Sequence, residues 1–178
     1  MPSEVSAQTC PGAKEVYTTS SGTIDYPEGD NKYENYLDCN IIIKAQAHQN
    51  IKFKFSEFEF EGNVAQGYDW LTIYEANNKK IGAYAMGDNE QPPTDWTKTD
   101  TNLLILHVKT DRSVRKKGFV MDWEFVVEDC GCNENGTRQD GCNKDTRACF
   151  CKENVEGNKC NKCKPKHWGF PGRVKALK

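Results

Sequence analysis

The chain has 178 residues and a formal charge of −2, with 37% apolar and 28% charged side chains. That is enough chain for one sizeable domain and a smaller one, with no basic footprint for nucleic acid. No apolar run approaches the roughly 18–20 residues of a membrane span, so a membrane is reached only through a parent protein.

The charge is unevenly divided. Residues 1–128 carry 13 Lys+Arg against 20 Asp+Glu, and residues 129–178 carry 11 against 6. Such a switch fits a domain boundary or simply two differently solvated surfaces. Cysteine usage sharpens it, because only Cys10 and Cys39 precede residue 130 and the other seven fall between Cys130 and Cys163. A tail of this length with few large apolar side chains buries little core and needs crosslinks, which implies an oxidising compartment. Residues 1–8 are too short and too polar for a signal peptide, so the chain reads as a mature fragment.

In chain order, Ser20-Ser21-Gly22 has turn chemistry and precedes a short extended piece. Residues 29–35 are a polar loop. Residues 37–45, with Cys39 and the Ile41-Ile42-Ile43 run, read as a buried strand. A Cys10–Cys39 bridge would close a loop of about thirty residues, worth roughly 3–4 kcal/mol in the chain-entropy model. Ile51, Phe53 and Phe55 alternate with polar residues as in a half-buried strand. Phe58 and Phe60 have the opposite phase, which predicts a bulge or bend near Ser56-Glu57.

Tyr68-Asp69-Trp70 opens another alternating strand, and residues 79–84 give a further one after the Asn77-Asn78 turn. Residues 88–100 are predicted to be a long loop. Residues 102–108 and 119–127 are the last two strands; in the latter Phe119, Met121, Trp123, Phe125 and Val127 share one face. No amphipathic helix emerges. Short strands separated by turns predict an all-β, antiparallel two-sheet β-sandwich.

Loops at one end of such a sandwich can bring together carboxylates from Glu57, Glu59 and Glu61, from Asp69 and from Asp111. Three uncompensated carboxylates repel one another, so either the loops splay apart or a hard cation sits between them; calcium takes about six to eight oxygen ligands and suits such a site. The alternative is ordinary solvated charge.

Several short motifs now act in conjunction: Cys10, Ser21-Gly22-Thr23-Ile24, Tyr26-Pro27, Cys39, Phe55-x-x-Phe58-x-Phe60-Glu61, Tyr68-Asp69-Trp70-Leu71-x-Ile73-Tyr74, Thr110-Asp111-x-Ser113 and Gly118-Phe119. In order and spacing this run resembles a CUB domain, over residues 10–128. The resemblance implies an antiparallel β-sandwich and, in the calcium-binding branch, Ca2+ held between end loops. It assigns the carboxylates to Glu61, Asp69 and Asp111, a backbone contribution to Ser113 and a supporting aromatic to Tyr33, and it leaves Glu57 and Glu59 outside the register, facing solvent. The second disulfide of the family is missing here, its places being held by Gln66 and the Ala85-Met86 stretch.

The remaining residues, 130–178, are similar to a laminin-type EGF-like module, small and disulfide-rich. That resemblance implies bridges Cys130–Cys142, Cys132–Cys149 and Cys151–Cys160. It leaves Cys163 without the eighth cysteine of the pattern, so the module reads as incomplete at its C-terminal end. Zinc competes for the single Cys160-x-x-Cys163 pair, but the Cys-x-Cys pairs suit disulfides. Asn135-Gly136-Thr137 is an N-glycosylation sequon that places Asn135 on an exposed loop.

Lys109, Arg112, Arg115, Lys116 and Lys117 form a basic run around Asp111. It reads as contact with a sulfated glycan or acidic partner, or as a soluble hairpin tip. The basic tail residues Lys162, Lys164, Lys166, Arg173, Lys175 and Lys178 have only Trp168 and Phe170 among them, which are expected to pack on the small module. His48, His107 and His167 sit in no nucleophile–base motif, and no phosphate-cradling loop or metalloprotease helix is present. Glu61 and Asp69 could pair as acid and nucleophile in glycoside hydrolysis, but a sandwich of this size leaves little room for a cleft, so no enzyme is expected.

Two readings result. The first is an extracellular, calcium-dependent protein-interaction fragment of a larger secreted or cell-surface protein, in which a partner's lysine or arginine shares the anionic cage. The second is a structural spacer of an ectodomain, with calcium absent or purely stabilising.

Overall fold

Buried positions recur at every second residue along much of the first unit's strands, as at Ile51, Phe53 and Phe55, and these faces meet across two sheets. The computed structural model describes residues 8–29, 31–127, 129–143, 146–169 and 175–176. The chain divides into two compact units, Met1–Val126 and Val127–Lys178.

In the first unit the strands are β1 (Ser21–Tyr26), β2 (Asp38–Lys44), β3 (Gln49–Glu59), β4 (Trp70–Glu75), β5 (Lys80–Tyr84), β6 (Thr97–Lys98), β7 (Leu103–Lys109) and β8 (Gly118–Val127, which ends in the second unit). They form two four-stranded sheets, ordered β1-β8-β3-β6 and β2-β7-β4-β5. Each pairing whose register is defined is antiparallel, so this is an antiparallel β-sandwich. Its core interleaves Ile51, Phe53, Phe119 and Met121 of one sheet with Ile41, Ile43, Leu71, Ile73, Leu104 and Leu106 of the other, all essentially inaccessible. Cys10 is bonded to Cys39 of β2.

Several details depart from the sequence-based expectations. The first strand starts at Ser21, so Gly22 lies inside it rather than in a turn. There a Cβ would run into the Trp123 indole, and only glycine leaves room for that ring. By contrast, the phase change expected near Ser56-Glu57 is present, as two consecutive exposed residues within one strand ending at Glu59. The stretch 88–100 contains β6, which pairs with Lys52 and Phe53. The reason is tertiary: Thr99 is fully buried, its hydroxyl accepting the Ile51 N–H (2.9 Å) and donating to the Thr101 carbonyl (2.6 Å). The common face of β8 runs out at its end, where Val127 is exposed. A short 3-10 turn, Val64–Gln66, adds structure between Glu61 and Asp69, and the turn expected at Asn77-Asn78 is present as the 3-10 turn Ala76–Asn78.

The second unit consists of β9 (Thr137–Cys142), β10 (Cys149–Cys151), β11 (Val155–Glu156), β12 (Lys162–Cys163), β13 (His167–Trp168) and β14 (Lys175–Ala176), paired two by two. Bonds Cys130–Cys142, Cys132–Cys149 and Cys151–Cys160 hold it, and Cys163 is free and half-buried. Cys160 therefore cannot ligate zinc. Phe170, Arg173 and Lys178 lie outside the described residues, as do the side chains of Trp168 and Lys175.

Candidate metal centre

Three loops meet at one end of the sandwich. The first leaves β3 at Phe60, whose buried ring stacks on Tyr33 at 4.9 Å, and Glu61 follows at once. The backbone then turns at Gly62 (φ +66°) and enters the turn Val64–Gln66. Asn63 caps that turn: its side chain accepts the Gln66 N–H (3.0 Å) while the Gln66 side chain accepts the Asn63 N–H (3.2 Å). Gly67 (φ +72°) releases the chain into Tyr68 and Asp69, just before β4. Asp111 stands two residues beyond β7. The loop from β1 to β2 supplies Tyr33.

Glu61, Asp69 and Asp111 each offer a carboxylate oxygen within 4.8 Å of the other two. Asp69 is fully buried. Its Oδ1 accepts the Asp111 N–H (2.7 Å) and its Oδ2 accepts the Tyr33 hydroxyl (2.7 Å). The Tyr33 oxygen in turn accepts the Glu61 N–H (3.3 Å), and the Tyr33 N–H donates to the Lys116 carbonyl (3.1 Å). One buried phenol thus ties together both ends of the loop that carries Glu61 and Asp69, while the Tyr33 backbone holds the loop beyond β7. The Asp111 Oδ1 accepts the Ser113 N–H (2.7 Å), so Ser113 closes the third loop while its side chain stays exposed.

The electrostatics of this cluster are unfavourable as it stands. Burial, followed by the charges of Asp69 and Asp111, pushes the Glu61 carboxyl above its ordinary range, against a smaller opposing effect of Lys116. Burial also pushes Asp69 up, although its two hydrogen bonds pull the other way. Tyr33 is raised far above the usual phenol range by burial, by its bond to Asp69 and by that residue's charge. The Glu61 Oε2 is buried and has no hydrogen-bond partner. An acceptor-only oxygen without a donor, facing two more carboxylates, lacks a positive counterpart. Hard, all-oxygen donors of this kind fit Ca2+.

Sequence reasoning missed two supports of the site. Thr110 is buried, its hydroxyl accepting the Leu37 N–H and donating to the Glu34 carbonyl, both at 2.8 Å. Asn35 donates through Nδ2 to the Arg112 carbonyl (2.9 Å), leaving its Oδ1 buried and unpartnered. Thr110 opens the Thr110-Asp111-x-Ser113 motif, a signal that could have marked it; Asn35 sits in a polar loop that carries no periodic signal.

The basic run is largely consumed locally. Lys109 pairs with Asp38 (3.5 Å), Arg115 with Glu34 (3.1 Å) and Lys116 with Glu59 (3.7 Å). Glu57 is exposed. His107 contacts Asp38 (2.8 Å). In the second unit Asn135 is exposed in a turn where the Asn133 side chain accepts the Asn135 N–H (3.0 Å). The Thr137 hydroxyl donates to the Asn133 carbonyl (2.6 Å).

Against known proteins, residues 10–123 match the model of the CUB domain and residues 130–176 that of the laminin EGF domain. Neuropilin-1 of Xenopus laevis is 31% identical over 140 residues, 71% of this chain and 15% of that protein. The dorsal-ventral patterning protein tolloid of Drosophila melanogaster is 30% identical over 127 residues, 67% of this chain and 12% of that protein. The chain therefore corresponds to a small part of the length of these relatives. Among solved structures, the MASP-1 CUB2 domain bound to Ca2+ superposes with a TM-score of 0.52 at 21% identity, covering 65% of this chain and 99% of that one.

Proposed function

Because the chain belongs to the CUB family and carries a laminin EGF module behind its CUB domain, we propose that it is an extracellular, calcium-dependent protein-interaction fragment of a larger secreted or cell-surface protein. Residues 10–128 form the interacting domain and residues 130–178 the module that follows it, with Asn135 bearing glycan. Ca2+ is held by Glu61, Asp69 and Asp111 with backbone help from the loop at Ser113, and Tyr33 supports the ligands from behind. The carrying observation is the buried, unpartnered Glu61 Oε2 beside two further carboxylates. Bound calcium supplies the missing positive charge and freezes three loops into one rim, on which a partner's lysine or arginine finds the residual negative potential. A sulfated glycan is the less favoured ligand, since three of five residues in the basic run are already in ion pairs.

The spacer reading has one observation in its favour: hydrogen bonds among Tyr33, Asp69 and Asp111 tie the loops without any ion. Calorimetric titration to millimolar calcium decides, because extracellular modules bind calcium at about 10⁻⁴–10⁻³ M. One saturable site, lost in Asp111→Ala, is expected, together with protein partners that dissociate in chelator. Absence of a site in the unaltered protein overturns the metal reading, and a calcium-loaded protein whose partners ignore chelator establishes the spacer.

A further inference from the structure

Between Glu61 and Asp69 the chain makes an excursion whose apex is exposed from Ala65 to Tyr68. Its one apolar anchor on the core is Val64, itself only partly buried. A loop with so little burial opens locally at small cost, yet its two ends must stay within a few ångströms for their carboxylates to share an ion.

The neighbouring turn at residues 85–91 supplies the restraint. Its backbone donates from Gly87 to the Gly62 carbonyl (2.6 Å) and from Met86 to the Phe60 carbonyl (3.2 Å). Asp88 adds the side-chain clamp. Its carboxylate accepts the Val64 N–H at 3.2 Å (Oδ1) and 3.3 Å (Oδ2), and its Oδ2 also accepts the Ala85 N–H at 2.8 Å. One side chain thereby closes its own turn and grips the first residue of the 3-10 turn in the acidic loop. Gln91 braces the clamp, donating through Nε2 to the carbonyls of Asp88 (2.8 Å) and Ala85 (3.0 Å). The approach leaves no slack, since a Cβ at Gly87 would stand 2.7 Å from the Gly62 carbonyl oxygen.

From this geometry we infer that Asp88 is a positioning residue of the calcium site. It lies outside the three-carboxylate cage but sets the spacing between Glu61 and Asp69, and so the affinity for the ion. The inference rests on the calcium reading above. Affinity in an oxygen cage depends on ligand charge and on the rigidity of the site. Asp88 acts through rigidity, as a hydrogen-bond acceptor.

That distinction sets the test. Calcium titration is run on the full oxidised chain, on Asp88→Ala and on Asp88→Asn. Alanine removes the acceptor and the charge, whereas asparagine keeps an acceptor oxygen and removes the charge. Asp88→Ala is expected to weaken calcium binding about tenfold or more, while Asp88→Asn stays within about threefold of the parent. Equal loss in both variants would mean that charge alone matters, and no loss in either that the clamp is idle; both results overturn the inference. If Asp88→Ala does not fold, Gln91→Ala takes its place, with weakening of about threefold against none as the deciding outcomes.

Absence of calcium binding in the parent is the separate failure of the metal reading. Amide exchange over residues 61–69 in calcium-free protein then decides the clamp. Acceleration of about tenfold in Asp88→Ala but not in Asp88→Asn supports it, and unchanged exchange overturns it.

Discussion

The sandwich and the module behind it solve the same stability problem with different means. In the sandwich, the ten core side chains named above, from Ile41 to Met121, are essentially inaccessible on the strands of both sheets, with one disulfide joining Cys10 to β2. In the module the buried apolar residues among those described are Cys130, Cys142, Val155 and Cys160, so three of four are the crosslinks themselves. Its loops are closed over sequence separations of 12, 17 and 9 residues. The difference shows what a chain does when it has too few apolar side chains for a core: covalent closure lowers the entropy of the unfolded state where burial cannot stabilise the folded one.

Four experiments sharpen or break that comparison. Phe53→Ala in the sandwich is expected to cost about 3–5 kcal/mol, read as a fall in the urea midpoint, because the ring is fully buried between the sheets. Replacing Cys132 and Cys149 together by serine is expected to cost the module about 2–5 kcal/mol. Amide exchange across residues 130–169 should then rise toward that of unfolded chain while the urea midpoint of the sandwich stays where it was; a common shift would show that the two units stand or fall together. Thr110→Val keeps shape but strips the buried Leu37 N–H of its acceptor, for a loss of about 1–3 kcal/mol in the sandwich alone.

The smallest effect is a pH dependence. Glu61 and Asp69 titrate above their unfolded values of about 4, so the calcium-free fold binds protons more tightly than the unfolded chain. Its stability should therefore rise slightly as pH falls from neutral through the raised values, and saturating calcium should abolish the rise. A melting temperature that falls over this window in chelator contradicts the assignment.

Much of the sandwich was legible because burial and sequence period coincide: Ile51, Phe53 and Phe55, or Phe119, Met121 and Trp123, announce their faces residue by residue. The acidic cluster was legible through motif order, since Glu61, Asp69 and Asp111 each follow or precede a recognisable strand. What stayed hidden depends on partners distant in the chain. Strand β6 is two residues long, and nothing in Thr97-Lys98 marks it; the contact of Thr99 with Ile51 creates it. Asp88 looks like any loop acid until Val64 is seen beside it. The exposed end of β8 at Val127 is a departure of the same kind, in which an alternating pattern outlasts the surface it covers.

The short strand β6 has a consequence for how such domains coexist. Strand β3 spans eleven residues, and an open edge of that length invites pairing with another chain. Here two residues of β6 occupy Lys52 and Phe53, and the Pro93 carbonyl takes the Phe55 N–H (2.8 Å). Proline has no N–H to offer a further strand. The loop therefore ends the sheet instead of extending it, a guard against aggregation wherever copies of this fold are crowded side by side.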